Sequence, residues 1–208
     1  MNPIKTFKEW YIADARRYLD NIQFEKLLRG GAYRRYKVSS VEPGLKFLYW
    51  MRLCNAIRGK KILLPLYFIA LNRYNHYKYK YGISIPFITN IGKGFYIGHF
   101  GTIVVNPSTI IGCNVNISQG VTIGATNRGE HAGVATIGDG VYIGPGAKII
   151  GAIRIGNNVA IGANAVVTHD VPDNAVVAGV PARIISMNGA NGYVNRKYED
   201  KSLFRGSN

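Results

Sequence analysis

From residue 85 onward an aliphatic residue returns every six positions. It stands at Ile85, Ile91, Ile97 and Ile103; after a two-residue slip at Ile111, Ile117 and Ile123; and after a longer insertion at Ile137, Ile143, Ile149, Ile155, Ile161 and Val167. Gly follows it at 92, 98, 112, 124, 138, 144, 156 and 162. A period of six fits neither the helical 3.6 nor the two-residue alternation of a strand. It is the signature of a hexapeptide β-solenoid, in which each unit supplies one short flat strand and one turn, and three units make a triangular coil of about 18 residues. The aliphatic residue points inward and stacks on its equivalent in the next coil, while Gly serves the turn. Thirteen units give a little over four coils. No coil buries its inward face alone, so stacking is obligatory.

Residues 1–82 read differently. They hold 17 Lys and Arg against 5 Asp and Glu, whereas residues 83–183 hold 5 against 4; they also carry ten of the fourteen tyrosines. Ile4, Phe7, Tyr11, Ala15, Tyr18 and Ile22 recur at three- and four-residue steps, which predicts a helix with one apolar stripe. A second helix is predicted from about Leu45 to Ile57, after Pro43-Gly44. A third runs from about Leu64 to Tyr79, with Pro65 in its first turn and Gly82 as its stop. The chain divides into a basic, Tyr-rich helical region (1–82), a solenoid (83–185) and a tail (186–208). The basic head suits either a solvated helical surface or an anionic partner. Among partners, a membrane surface or lipid-linked phosphate is favoured over nucleic acid, since no nucleic-acid-binding module is recognisable.

Composition narrows the class. With 47% hydrophobic, 12% aromatic and 18% charged residues the chain is too apolar for disorder, and 8 prolines among 25 glycines exclude collagen. The longest apolar run, Ile62 to Leu71, is about half a membrane span, and from the polar and aromatic opening MNPIKTFKEW no cleavable signal is expected. Cys54 and Cys113 make neither a disulfide framework nor a zinc spacing. A cytoplasmic protein is expected, at most peripheral at the inner membrane.

Four stretches carry a resemblance: IGKGFYIGHFGTIVV (91–105), VNISQGVTIGA (115–125), VYIGPGAKIIGAIRIGNNVAIGANAVV (141–167) and AGVPARII (178–185). They resemble the hexapeptide-repeat acyltransferases, particularly the serine acetyltransferase-like branch. The resemblance implies a left-handed parallel β-helix, against the usual right-handed crossover, in a mainly β chain with an N-terminal α-helical region. It also implies an acetyl-CoA donor, a hydroxyl or amino acceptor, a homotrimer, and active sites in grooves between neighbouring solenoids.

Counting coils locates a site. The units starting at 97, 117, 143 and 161 fall on one face, and their third positions are His99, Gln119, Pro145 and Ala163. These form an outward ladder with rungs about 4.8 Å apart. The small end suits a pantetheine arm and the polar end suits chemistry. In the family the residue matching His99 is the catalytic base. The stretches matching Gly144, Pro145, Gly146, Ala147 and Gly162, Ala163 lie along CoA, and a residue like Arg183 lies near its phosphates. A neutral hydroxyl attacks a thioester poorly until a base takes its proton, and histidine, ordinarily titrating near 6.5, suits that work. A backbone N–H near Gln119 or Gly120 would hold the oxyanion. No metal is needed.

In serine acetyltransferases an Asp fifteen residues before the base orients it, and a second Asp precedes it directly; here these are Ser84 and Gly98. An Arg-His pair in the insertion falls on Gly133 and Val134, or on His131 if the alignment shifts. Ser84, Gln119 or a backbone carbonyl is left to orient His99. Within the insertion, Arg128 suits a CoA phosphate or an acidic sugar and His131 the acceptor, although a solvated loop tip explains both. These departures favour a sugar hydroxyl as acceptor, in capsule, lipopolysaccharide or exopolysaccharide synthesis. Serine O-acetylation, amino-sugar N-acetylation, a metal hydratase and a non-catalytic scaffold are the alternatives.

Overall fold

The computed structural model describes residues 2–40 and 42–199; residues 200–208 of the expected tail lie outside the described residues, as do Met1 and Val41. Five α-helices come first among the described residues: α1 (Pro3–Arg16), α2 (Asn21–Leu28), α3 (Ala32–Ser39), α4 (Pro43–Ile57) and α5 (Leu64–Tyr81). No helix among the described residues is long and apolar enough to cross a membrane.

The strands that follow build three parallel sheets, the faces of a prism. The first face stacks Ile83–Ser84, Ile103–Val105, Thr122–Gly124, Lys148–Ile150 and Val166–Val167. The second stacks Asn90–Ile91, Ile110–Ile111, Thr136–Ile137 and Arg154–Ile155. The third stacks Tyr96–Ile97, Asn116–Ile117, Tyr142–Ile143, Ala160–Ile161 and Val176–Ala178, closed by the antiparallel strand Arg183–Ser186. On the third face Ile97 pairs with Ile117, Ile117 with Ile143, Ile143 with Ile161, and Ile161 with Val177. Every one of these side chains is buried in the prism. A two-residue strand turns one side chain inward and its neighbour outward, and the corner absorbs the remaining residues of each unit. The two-residue slip is a wider corner, where the Ser108 N–H donates to Asn106 Oδ1 at 3.0 Å. The longer insertion is a loop closed by an antiparallel bridge between Thr126 and Gly133.

In the helical region α4 and α5 lie where the hydrophobic spacing puts them, and Gly82 ends α5 at φ 60°. Helix α1 stops earlier than its stripe predicts. Asp20 opens a new helix: its carboxylate accepts the Gln23 N–H at 2.7 Å, and Gln23 Oε1 accepts the Asp20 N–H at 3.3 Å. That reciprocal capping box resets the helix axis and leaves Ile22 69% exposed.

Helices and solenoid share one apolar core. At the joint Arg52 Nε pairs with Asp14 Oδ2 at 2.8 Å, and the guanidinium also donates to the carbonyls of Ile91 and Gly92, each at 2.7 Å. Asp14 Oδ1 accepts the Phe95 N–H at 2.9 Å. Arg17 donates to the Gly94 carbonyl at 2.9 Å and to Asn116 Oδ1 at 2.6 Å. The Tyr18 hydroxyl takes the Ile97 N–H at 2.8 Å and donates to the Ile97 carbonyl at 3.2 Å. Burial pushes the Asp14 carboxyl up, while Arg52 and the Phe95 N–H hold it down; burial lowers the Arg17 guanidinium to about 10. Charges this deep persist only when hydrogen bonds satisfy them on all sides. Several tyrosines are likewise internal, with Tyr11 and Tyr74 bonding the carbonyls of Arg35 and Ile85.

Past residue 186 the chain runs back along the outside of the third face. The Ala190 N–H donates to the Asn158 carbonyl, Tyr193 stacks on Tyr142 at 4.6 Å, and Arg17 Nε reaches the Asn195 carbonyl at 2.9 Å. This strap covers the outward residues Asn116 and Ala160.

Candidate active site

The register on the third face aligns His99, Gln119, Pro145, Ala163 and Gly179, each two residues past its strand's inward aliphatic, along the edge between the third and first faces. Corner hydrogen bonds run from coil to coil: the N–H of Gly120 donates to the Gly101 carbonyl, that of Gly146 to Gln119 and that of Asn164 to Pro145, each at 2.9 Å. Gly120, Gly146 and Asn164 take positive φ here (73°, 73° and 56°), which lets the chain turn in the left-handed region. The N–H groups of His99, Gln119 and Ala163 take no part in these bonds among the described residues, and Pro145 has none to give. The edge therefore presents unspent donors, so of the two corner amides expected to hold an oxyanion only that of Gln119 is free.

The wall below His99 is smooth for a steric reason. A Cβ at Gly144 would press on the Ile161 carbonyl oxygen (2.7 Å) and the Ala163 nitrogen (3.0 Å). Ala163 is exposed, whereas the Ala147 side chain is fully buried, so Ala147 offers the groove backbone only. Arg183 lies exposed on the closing strand, paired with Ala178 beyond the fourth rung. From the first rung to the fifth the edge spans about 19 Å at the usual strand spacing. Small side chains, free amides and a terminal cation fit an extended carrier such as a pantetheine chain.

The first corner departs from the next three. Positive φ falls on Gly101 (113°) and Thr102 (52°) rather than on the residue following His99. A β-branched residue in that region is strained, and strain of this kind is held by its surroundings. Here the surroundings come from α5: the Gly82 carbonyl accepts the Ile103 N–H at 3.0 Å, and the Tyr81 ring meets Phe100 at 5.2 Å. His99 stands exposed on this corner, and among the described residues nothing hydrogen-bonds its imidazole. Ser84 pairs with Val104 on the first face and makes no side-chain hydrogen bond there. Lys148, which the sequence reading passed over, donates to the Gly120 carbonyl at 2.6 Å and to Thr122 Oγ1 at 3.2 Å. It pins the Gln119 corner, and its register with Thr122 was countable from the repeat.

The insertion lies on a different edge, between the first and second faces. The Ala152 N–H donates to the His131 carbonyl at 2.8 Å, and the His131 ring meets that of His169 at 5.9 Å. Arg128 is exposed at the loop tip, its carbonyl accepting from Thr126 Oγ1. Within one chain neither reaches His99. A hollow of about 580 Å³ lies away from His99, along the second face by Ala152, Arg154 and Asp170. The Asp170 carboxylate in its lining is already engaged, accepting the Arg154 N–H at 2.8 Å.

Residues 135–169 match the family of bacterial transferase hexapeptide (six repeats). The serine acetyltransferase of Helicobacter pylori J99 is 36% identical over 155 residues, covering 74% of this chain and 88% of that protein. The chain belongs to the serine acetyltransferase-like branch of the hexapeptide-repeat acyltransferases. Its fold is the left-handed β-helix and its chemistry is acyl transfer. The Bacillus subtilis 168 serine acetyltransferase is 35% identical, over 74% of this chain and 69% of the relative. Among solved structures, serine acetyltransferase from Vibrio cholerae superposes with a TM-score of 0.64 at 28% identity, over 88% of this chain and 66% of that one. A serine acetyltransferase in complex with CoA superposes at 0.63 with 29% identity, over 87% and 70%. These likenesses overturn the expected sugar acceptor and, with it, a place in surface polysaccharide synthesis. That expectation rested on single departures at Ser84 and Gly98, whereas the likeness to serine acetyltransferases runs through both helices and solenoid.

Proposed function

We propose that this protein is a serine O-acetyltransferase that takes its acetyl group from acetyl-CoA, in the cytoplasm. The observation that supports this most is the single edge on which His99 heads a smooth ladder of small residues and free amides. Acetyl-CoA brings an activated thioester to that edge. Gly144, Pro145, Gly146 and Gly162 line its arm, with the Ala163 N–H as donor, Ala147 contributing backbone alone and Arg183 near the phosphates. His99 accepts the proton of the serine hydroxyl as that oxygen bonds to the thioester carbonyl carbon. The Gln119 N–H receives the charge that develops on the carbonyl oxygen. As the carbon–sulfur bond breaks, His99 returns the proton to the sulfur, giving O-acetylserine and free CoA.

The free imidazole and the displaced insertion support a homotrimer. His99 and His131 sit on different edges of one prism, so a neighbouring solenoid is what brings a second chain's His131 and Arg128 beside the base and acceptor. Ser84 and Gly98 stand where the family carries acids, which leaves the orientation of His99 to groups across that boundary or to the acceptor itself.

The test is thiol release with L-serine as acceptor. His99→Ala is expected to lower turnover by about two or more orders of magnitude, the scale of general-base removal. Its thermal unfolding should match the parent, because the side chain is exposed. Full activity in His99→Ala rules out the base. Ala163→Trp should abolish CoA binding by filling the ladder, and unaltered CoA affinity in that variant removes the groove from this edge.

A further inference from the structure

We propose that the start of helix α5 is a docking surface for an anionic lipid bilayer. Asp and Glu are absent from residues 43–129, a stretch that includes all of α4 and α5. Where α4 hands over to α5, Arg58, Lys60 and Lys61 are exposed, and none makes an ion pair or a side-chain hydrogen bond among the described residues. Beside them the largest apolar side chains stand in solvent: Ile62 is 91% exposed, Phe68 61%, Ile69 57% and Leu64 50%. The opposite side of α5 is packed, with Ala70 and Tyr74 buried. The helix thus has its core face occupied and an outer tip that is apolar with a cationic collar.

That combination selects the partner. Exposed aliphatic and aromatic side chains gain from entering the headgroup–acyl boundary, and the surrounding cations gain from anionic headgroups. A nucleic acid would use the cations but offer nothing to Ile62 and Phe68. A second copy docked through the same patch would set like charges against each other with no carboxylate nearby to relieve them. The tip is also well placed relative to the chemistry. Phe68 and Tyr81 are separated by about 20 Å along α5 at the usual helical rise, and it is the Tyr81 end that supports the His99 corner. The surface can engage a bilayer without covering the candidate site.

Vesicle sedimentation of the full chain tests this, with phosphatidylcholine alone or with phosphatidylglycerol added. Binding is expected only to the anionic vesicles and should weaken as salt rises. Both Ile62→Asn/Phe68→Asn and Lys60→Ser/Lys61→Ser should reduce bound protein by about tenfold or more, since both the apolar and the charged contributions are needed for stable adsorption. Thiol release with L-serine should be unchanged in both variants, so failure here and failure of the acetyltransferase reading are distinguishable. Three outcomes overturn the proposal: no sedimentation with anionic vesicles, binding indifferent to Ile62 and Phe68, or wild-type binding that free duplex DNA abolishes entirely. A change in oligomer size in the Ile62→Asn/Phe68→Asn variant, without loss of vesicle binding, also overturns it and assigns the patch to self-association.

Discussion

In the solenoid a residue's neighbours follow from counting: Ile143 lies between Ile117 and Ile161 because each coil repeats the last. In the helical region Asp14 meets Arg52, 38 positions on, and Phe95, 81 positions on, and no period connects them. The solenoid buries aliphatics and needs almost no side-chain polar bonds inside. The helical region buries charges and aromatics and is tied to the first coil by them. The contrast bears on function, because the coil where the two meet carries His99. There the regular corner gives way to Gly101 and Thr102, held by Gly82 and Tyr81. Repetition builds the ladder, and the break in repetition shapes the end that carries His99.

Arg52→Leu strikes that junction hardest. It strands the Asp14 carboxylate and leaves the carbonyls of Ile91 and Gly92 without their donor, so a loss of about 3–5 kcal/mol is expected. Chemical denaturation measures it. A loss no larger than that of a surface substitution would mean that helices and solenoid are stapled elsewhere.

Gly138→Ala tests the repeat itself. A Cβ at Gly138 would meet the backbone of Gly156 at 2.8 Å, and one at Gly112 would meet Gly138 at 2.7 Å, so these corners stack backbone on backbone. Coils held on both sides cannot shift apart cheaply, and a cost of about 1–3 kcal/mol is expected, as for other overpacked sites. At the N-cap of α3, Gly31 has nothing within 4 Å of an added Cβ, so Gly31→Ala should cost only about 0.5 kcal/mol, the effect of a poorer N-cap residue. Equal effects at the two glycines would erase the distinction between a solenoid corner locked by close approach and the open start of α3.

The same distinction decides how much could be read in advance. The three-faced coil, the inward aliphatics and the ladder from His99 to Ala163 were legible because a fixed period converts sequence distance into position. Helices α4 and α5 were legible through their apolar spacing and the stop at Gly82. Asp20 and Gln23 carried a legible capping signal that the longer apolar stripe obscured. The pairing of Asp14 with Arg52 was not legible, since it depends on how two helices cross the first coil. Nor was the irregular corner after His99, which arises where α5 enters. The expected acceptor failed for a related reason: it rested on single positions, Ser84 and Gly98, against the likeness of most of the chain to serine acetyltransferases.

The two cysteines give the mildest probe, one in each region. Cys54 lies in α4 with no exposed surface, and burial pushes its thiol up to about 12. Near pH 8 its thiolate fraction is then about one in ten thousand, too small for alkylation even before access is considered. Cys113 is half-buried at a solenoid corner. Native protein treated with iodoacetamide should take one label, at Cys113, and denatured protein two; peptide mass analysis distinguishes them. A second label under native conditions would require α4 to leave the core while the solenoid stays folded. The helices and the first coil would then open as separate cooperative units, and the corner that α5 supports would lose its brace each time they did.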